Sequence, residues 1–150
     1  MSTDSLIVRR IKSEDHGGVA SMRARLWPEG TRSLHLKELE SQVRDRKFRA
    51  WVALKGREHL GFCEAYLRPY ANGCDTMPIV FLEGIWVVPA WRGKGIGWSL
   101  LGAVEAWARS RGDSEMASDA LLSNTLSRRR HRAWGFQALE KVECFSKRLA

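Results

Sequence analysis

Apolar positions along this chain fall into short blocks whose spacing switches between the period of a strand and that of a helix. Leu6–Ile11 is a short apolar-rich run, read as a first strand. Ser13-Glu14-Asp15-His16 has the look of a helix N-cap followed by first-turn acids, and it opens a helix through Ala20, Met22 and Leu26. Pro28-Glu29-Gly30 breaks that helix. Leu34, Leu36, Leu39 and Val43 then recur at roughly helical spacing, predicting a second helix to about Asp45. Ala50–Leu54 and Leu60–Leu67 read as strands joined by the hairpin-type connection Lys55-Gly56-Arg57-Glu58-His59.

A loop of turn formers, Pro69 to Pro78, leads into a long β-branched and aromatic strand, Ile79–Val88. Leu100, Leu101, Val104 and Trp107 share one face of a helix over Ser99–Arg111, which Gly112 closes. Ser114–Asp119 is a short strand and Asn124–Trp134 a basic helix; after Gly135-Phe136 a last strand ends near Phe145. The order β-α-α-β-β-β-α-β-α-β predicts a single α/β (α+β) domain over 1–150, a mixed sheet with helices on its faces. There are no repeats, low-complexity segments or linkers.

Composition changes this picture little. The 150 residues are 44% hydrophobic and 28% charged, ordinary for a globular protein able to bury its own core. The opening segment MSTDSLIVRRIKSEDH lacks the apolar core of a leader, and no stretch approaches the ~20 apolar residues of a membrane span. Cys63, Cys74 and Cys144 are odd in number and follow no CxxC spacing. Reduced thiols are therefore expected, not disulfides or a metal site, and the chain is expected to be cytoplasmic.

The net charge of +8 invites a nucleic-acid reading, but its distribution argues for something smaller. Residues 120–150 carry seven basic residues (Arg128, Arg129, Arg130, Arg132, Lys141, Lys147, Arg148) against two acids. Nothing here resembles a base-reading helix or an aromatic RNA platform. A basic cluster near a glycine-rich turn suits the phosphates of a nucleotide-like cofactor; a solvated helix face is the plainer alternative.

That turn is Arg92-Gly93-Lys94-Gly95-Ile96-Gly97, between the long strand and a helix. Glycines let backbone approach a ligand closely, the amides at the helix start point at an anion, and Arg92 and Lys94 add charge. It is neither the dinucleotide-binding G-x-G-x-x-G nor the Gly-Lys-Ser/Thr of a nucleotide triphosphatase. One residue breaks the apolar run before it: Glu83. Strict alternation puts Glu83 on one face with Phe81, Ile85 and Val87. A carboxylate there needs a partner or a task, and a salt bridge with Arg68 or another base is the plainer reading.

Arg92-x-x-Gly95-x-Gly97 after a long strand, then Asn124, then a helix ending in Gly135-Phe136, resembles the GNAT acetyltransferase superfamily. The resemblance covers nearly the whole chain. It implies a mostly antiparallel mixed sheet, splayed between its fourth and fifth strands and flanked by four helices. It also implies acetyl-CoA as co-substrate, with the pyrophosphate on the turn, the pantetheine arm on the backbone of Ile85, Trp86 and Val87, and Asn124 contacting the arm. Within that superfamily, Leu26-Trp27-Pro28, Asn72-Gly73-Cys74-Asp75, Val80–Ile85 and Glu115–Asp119 resemble the aminoglycoside 6′-N-acetyltransferases.

The narrower resemblance implies a small polycation as substrate and antibiotic resistance as the role. Glu83 is then the candidate base, Asp119 holds the amine, and His131, four residues before Gly135, protonates the departing thiolate. Trp27, Gly30, Tyr70 and Glu140 are further substrate-side candidates, Gly30 standing where some relatives carry a histidine. Plainer roles stay open: Asp119 as a turn residue, Asn124 as an N-cap, Trp27 and Tyr70 as packing, His131 as a surface histidine. A different amine substrate, a nucleic-acid module and an inactive acetyl-CoA sensor are the competing functions. Relatives are often homodimers, and the apolar last strand is a surface that a second copy can pair with.

Overall fold

The computed structural model describes residues 5–150; residues 1–4, which open the segment read above as lacking a leader, lie outside it. Its elements are β1 (Leu6–Arg10), α1 (His16–Leu26), α2 (Arg32–Gln42), β2 (Phe48–Lys55), β3 (Glu58–Arg68), β4 (Ile79–Val87), α3 (Ile96–Ser110), β5 (Ala117–Ser118) and α4 (Thr125–Ala133). Single 3₁₀ turns precede α1 at Ser13–Asp15 and follow β4 at Pro89–Trp91. The five strands form one sheet in chain order; β1 to β4 are antiparallel and β5 joins β4 in parallel.

Alternation along β2 and β3 sends side chains into two cores. Trp51, Ala53, Leu60, Cys63 and Ala65 meet Leu100, Leu101, Val104 and Trp107 of α3 on one face. Phe48, Ala50, Val52 and Phe62 meet Val19 and Met22 of α1 and Leu39 of α2 on the other. Three apolar residues per two turns make α3 adhere to the sheet, and Gly95 at φ 86° starts it at Ile96, earlier than the side-chain pattern predicts. The turn before α1 is anchored by buried Asp15, which accepts from Arg9, from the Lys12 amide and from His59 on β3.

The register of β4 and the end of the chain both differ from what the sequence pattern predicts. Glu64 pairs with Gly84 and Ala65 with Leu82, so Glu83 is an extra residue on β4, a β-bulge. The bulge shifts the alternation: Ile85 and Val87 pack with Val80 and Leu82 against α3, whereas Phe81 lies in a separate cluster with Ile79 and Ala117. Glu83 therefore does not share a face with Ile85 and Val87. The β4–β5 pairing consists of Phe81↔Ala117 and Leu82↔Ser118 and stops at the residue before the bulge. Bulges bend a strand and end its ladder, which is why β5 stops at Ser118; it also starts only at Ala117, so it is shorter at both ends than the Ser114–Asp119 strand expected.

The segment beyond Gly135, expected as a last strand, joins no ladder of the described sheet. Its pattern is right for a strand, but a strand requires an edge to bond to, and two-residue β5 offers almost none. Leu139, Val142, Phe145 and Leu149 are left exposed.

Candidate active site

Where β4 leaves β5, one edge of β4 runs on unpaired from Glu83 to Val87. The Val88 amide bonds the Leu60 carbonyl on the β3 side. By antiparallel alternation, Trp86 also turns its N–H and C=O toward β3, while Ile85 and Val87 turn theirs to the open edge. Arg92 meets that edge directly, its Nε donating to the Val87 carbonyl at 2.8 Å while its guanidinium lies over the Trp86 ring. The sequence-level arginine is thus partly a brace for the end of the strand.

Beyond Arg92 the backbone turns through Gly93 and Gly95, at φ 78° and 86°. A side chain at either position would be strained, so this turn needs glycine. The first helical bond of α3 is Ser99 N–H to the Gly95 carbonyl, leaving the amides of the first turn without intrahelical acceptors. Lys94 and Lys55 hold their ammonium groups over Trp91, and burial together with the charge of Arg92 lowers the pKa of Arg130 on α4. Crowded cations, free amides and an open strand edge form a cradle that fits a nucleotide-linked thioester bearing phosphates. Asn124 caps α4, its side-chain oxygen accepting from the Ser127 amide at 3.0 Å, so the N-cap role is real.

On the other side of the bulge is a cleft of about 560 Å³. Glu29, Glu38, Glu64 and Glu83 line it with a single arginine, Arg23, together with Trp27, Gly30, Leu34, His35, Gln42, Phe48 and Tyr66. Trp27 lies flat enough on β4 that a Cβ added at Gly84 would be 2.6 Å from the indole, so the glycine beside the bulge admits the ring. Arg68 donates Nε and one terminal nitrogen to the two oxygens of Glu83, each at 2.7 Å, and its guanidinium lies 3.5 Å from the Phe81 ring centroid. The Arg68 pKa is raised, chiefly by that bond to Glu83 and in part by the charge of Asp119.

Of the substrate-side residues expected from sequence, Trp27, Gly30 and Glu83 come together in the cleft. Asp119 follows Ser118, which is paired with Leu82, so it stands beside Glu83 along the sheet, exposed at the point of splay. Tyr70 is exposed and does not line the cleft. Glu140 does not either: the segment carrying it lies against Gly73 in the β3–β4 loop, near Cys74.

His131 faces β5. Its Nδ1 donates to the Ser127 carbonyl at 2.7 Å and its Nε2 lies 2.8 Å from the Ser118 hydroxyl, with the ring between Trp134 and Phe136. It is the side chain that ties α4 to the splay.

The buried pair Arg23 and Glu64 is among the parts of the cleft wall that the sequence did not single out. Arg23 is 2% exposed and bonds Glu64 at 2.9 Å and Gln42 at 2.6 Å. Burial raises the pKa of Glu64, against the lowering influence of Arg23. Glu64 interrupts the apolar run Leu60–Leu67 as Glu83 interrupts its own, and that signal was there to be read.

Residues 17–136 match the Acetyltransferase (GNAT) family. The chain belongs to it. Curated relatives extend the likeness over almost the full length of this acetyltransferase. It is 40% identical over 149 residues to an aminoglycoside N(6′)-acetyltransferase type 1 of Klebsiella aerogenes, covering 97% of this chain and 98% of that one. A protein of the same name from Stenotrophomonas maltophilia is 37% identical over 140 residues, covering 92% and 90%.

Among solved structures, aminoglycoside N-acetyltransferase AAC(6′)-Iy in complex with CoA superposes with a TM-score of 0.92 at 34% identity, covering 97% of each chain. The same protein with the bisubstrate analogue CoA-S-monomethyl-acetylneamine gives 0.90 at 34% identity, covering 97% and 99%. The mixed sheet and its four helices are thus those of the GNAT fold. Among the described residues no group of His, Cys, Asp or Glu is arranged to hold a metal ion, and no helix is long and apolar enough to cross a membrane.

Proposed function

We propose that this acetyltransferase moves the acetyl group of acetyl-CoA to the 6′-amino group of aminoglycosides by direct attack in a ternary complex, and thereby confers resistance to them. The carrying observation is that a cleft walled by four carboxylates and one arginine opens at Glu83, where β4 separates from β5. A polycationic amine complements such a wall, while the basic cradle on the far side of the bulge complements phosphates. Relatives named for 6′-acetylation, and the neighbour bound to a CoA–neamine conjugate, support the same assignment.

Acetyl-CoA supplies an activated thioester; the protein's part is placement and proton management. Residues Arg92 to Gly97 bind the phosphates, with Asn124 on the arm. Ile85 and Val87 offer the open edge to the pantetheine and a backbone donor to the thioester oxygen. Aminoglycoside amines arrive as ammonium ions, so one proton must be removed before attack. Glu83 accepts it, sharing with the incoming amine an oxygen that otherwise bonds Arg68, and Asp119 orients the amine. His131, as the imidazolium with its Nε2–H on the Ser118 hydroxyl, passes a proton through that hydroxyl to the departing thiolate and is left neutral. Trp27 covers a sugar ring; Tyr70 and Glu140, which stand outside the cleft, meet only the part of the substrate that projects beyond it. Positioning of two substrates at one bulge is worth roughly 7–11 kcal/mol, more than the ~10²–10⁴-fold of a general base, and it dominates.

The protein acts in the cytoplasm, where acetyl-CoA is made, and as a homodimer joined through its last segment. Four exposed apolar residues on an unpaired stretch support that pairing. Comparing CoA release with kanamycin and with spermidine tests the substrate class. Turnover of kanamycin alone agrees with the assignment; equal or greater turnover of spermidine replaces it with a polyamine acetyltransferase.

A further inference from the structure

The cleft holds a histidine to which the mechanism above gives no task. His35, on the first turn of α2, is 6% exposed. Its Nε2 lies 3.0 Å from the Trp27 carbonyl, and a carbonyl can only accept, so Nε2 carries the hydrogen. Among the described residues the buried Nδ1 has no hydrogen-bond partner; the carboxylate of Glu38 is 4.0 Å away, beyond hydrogen-bonding reach. The ring occupies this place because residue 30 is glycine: a Cβ there would be 2.7 Å from Nε2. One face of the imidazole also packs at a tilt against Trp27, with centroids 6.3 Å apart.

A buried acceptor with no partner is a standing cost to the fold, and one that lines a cleft is relieved when a ligand donates to it. We propose that His35 is a substrate-recognition residue: Nδ1 accepts a hydrogen bond from an ammonium or hydroxyl group of the bound polycation, with Glu38 alongside as countercharge. The reacting amine is committed to Glu83, so His35 reads a second polar group of the same molecule. The same ring fixes the Trp27 loop through Nε2, joining recognition to placement of the indole. This assignment rests on the reading that the cleft takes an aminoglycoside.

Two replacements separate the ring's nitrogens. His35→Gln keeps a donor able to reach the Trp27 carbonyl and removes the Nδ1 acceptor. His35→Asn keeps a polar atom near Nδ1 and loses the reach to Trp27. The expected result for His35→Gln is a KM for kanamycin raised about tenfold, the effect of one hydrogen bond, with kcat and the KM for acetyl-CoA within about twofold of wild type. His35→Asn should keep the kanamycin KM closer to wild type while melting earlier. A His35→Gln enzyme with unchanged kanamycin KM, or with both substrates weakened alike, overturns the assignment.

¹⁵N-histidine NMR of the wild-type protein reads the same atom without any substitution. Addition of kanamycin should move the His35 Nδ1 resonance toward that of a hydrogen-bonded acceptor, and a resonance that stays put overturns the proposal. Wild-type acetylation of kanamycin with no Nδ1 response removes the His35 role alone. A kanamycin-dependent Nδ1 shift in a protein that does not acetylate kanamycin keeps His35 and removes the catalytic reading.

Discussion

Arg68 holds both oxygens of Glu83 in two parallel 2.7 Å bonds, at the bulged residue where the parallel pairing of the sheet ends. The ion pair and the base are thus not rival explanations of this carboxylate. The guanidinium, itself laid over Phe81, fixes the carboxylate in the direction of the cleft, and an incoming ammonium competes for one of its oxygens. Glu83→Gln should keep the shape and remove the charge. Steady-state kinetics should show kcat/KM for an aminoglycoside falling by ~10²–10⁴-fold. Near-wild-type kcat/KM across pH means that the base lies elsewhere.

Arg23 and Glu64 are buried together in the cleft wall, and the two do not act as separate increments of stability. Removing one leaves the other charged and unpaired in a low-dielectric site. Arg23→Met should cost about 3–5 kcal/mol in urea unfolding. Adding Glu64→Leu should restore most of that loss, because the paired replacement no longer buries a charge. A double variant as unstable as the single one contradicts this account.

Asp15 gives the protein an acid limit. Burial raises its pKa, but hydrogen bonds from Arg9, the Lys12 amide and His59 outweigh that and bring it from 3.8 down to about 2. The folded-state value is depressed, so the stabilisation is present above the unfolded value and is lost as pH falls from about 4 toward 2. A shift of that size corresponds to about 2–3 kcal/mol. Asp15→Asn should lower stability at neutral pH and flatten the acid limb of stability against pH, followed by thermal unfolding between pH 2 and 7. An acid limb as steep as wild type in the variant places the titrating group elsewhere.

Local chemistry made much of this legible in the sequence. Glycines at Gly93 and Gly95, the N-cap at Asn124 and the apolar stripe of α3 each depend on neighbours a few residues away, and each stands where the pattern put it. Glu83 was legible as an interruption in an apolar strand; its bulge was not, because a register is set jointly by β3 and β4 and alternation along one strand cannot reveal it. Arg23 hid in α1 and His35 in α2, two helices whose side-chain patterns mark no single apolar face, so which face meets a cleft is decided by tertiary packing. The segment after Gly135 has a strand's pattern without a strand's partner.

That last segment carries its own prediction. Sedimentation or light scattering should give twice the 17.1 kDa chain mass. Phe145→Glu, which puts a charge at a residue 86% exposed in the single chain, should shift the protein toward monomer. A wild-type protein that stays monomeric at micromolar concentration rules out pairing through this stretch.

Which amine is acetylated is tested most directly by CoA release from a matched pair of aminoglycosides. One member carries a 6′-amino group and the other a 6′-hydroxyl on an otherwise identical scaffold. Release should be rapid with the amine and no more than background with the hydroxyl. Equal release from the two contradicts acetylation at the 6′ position.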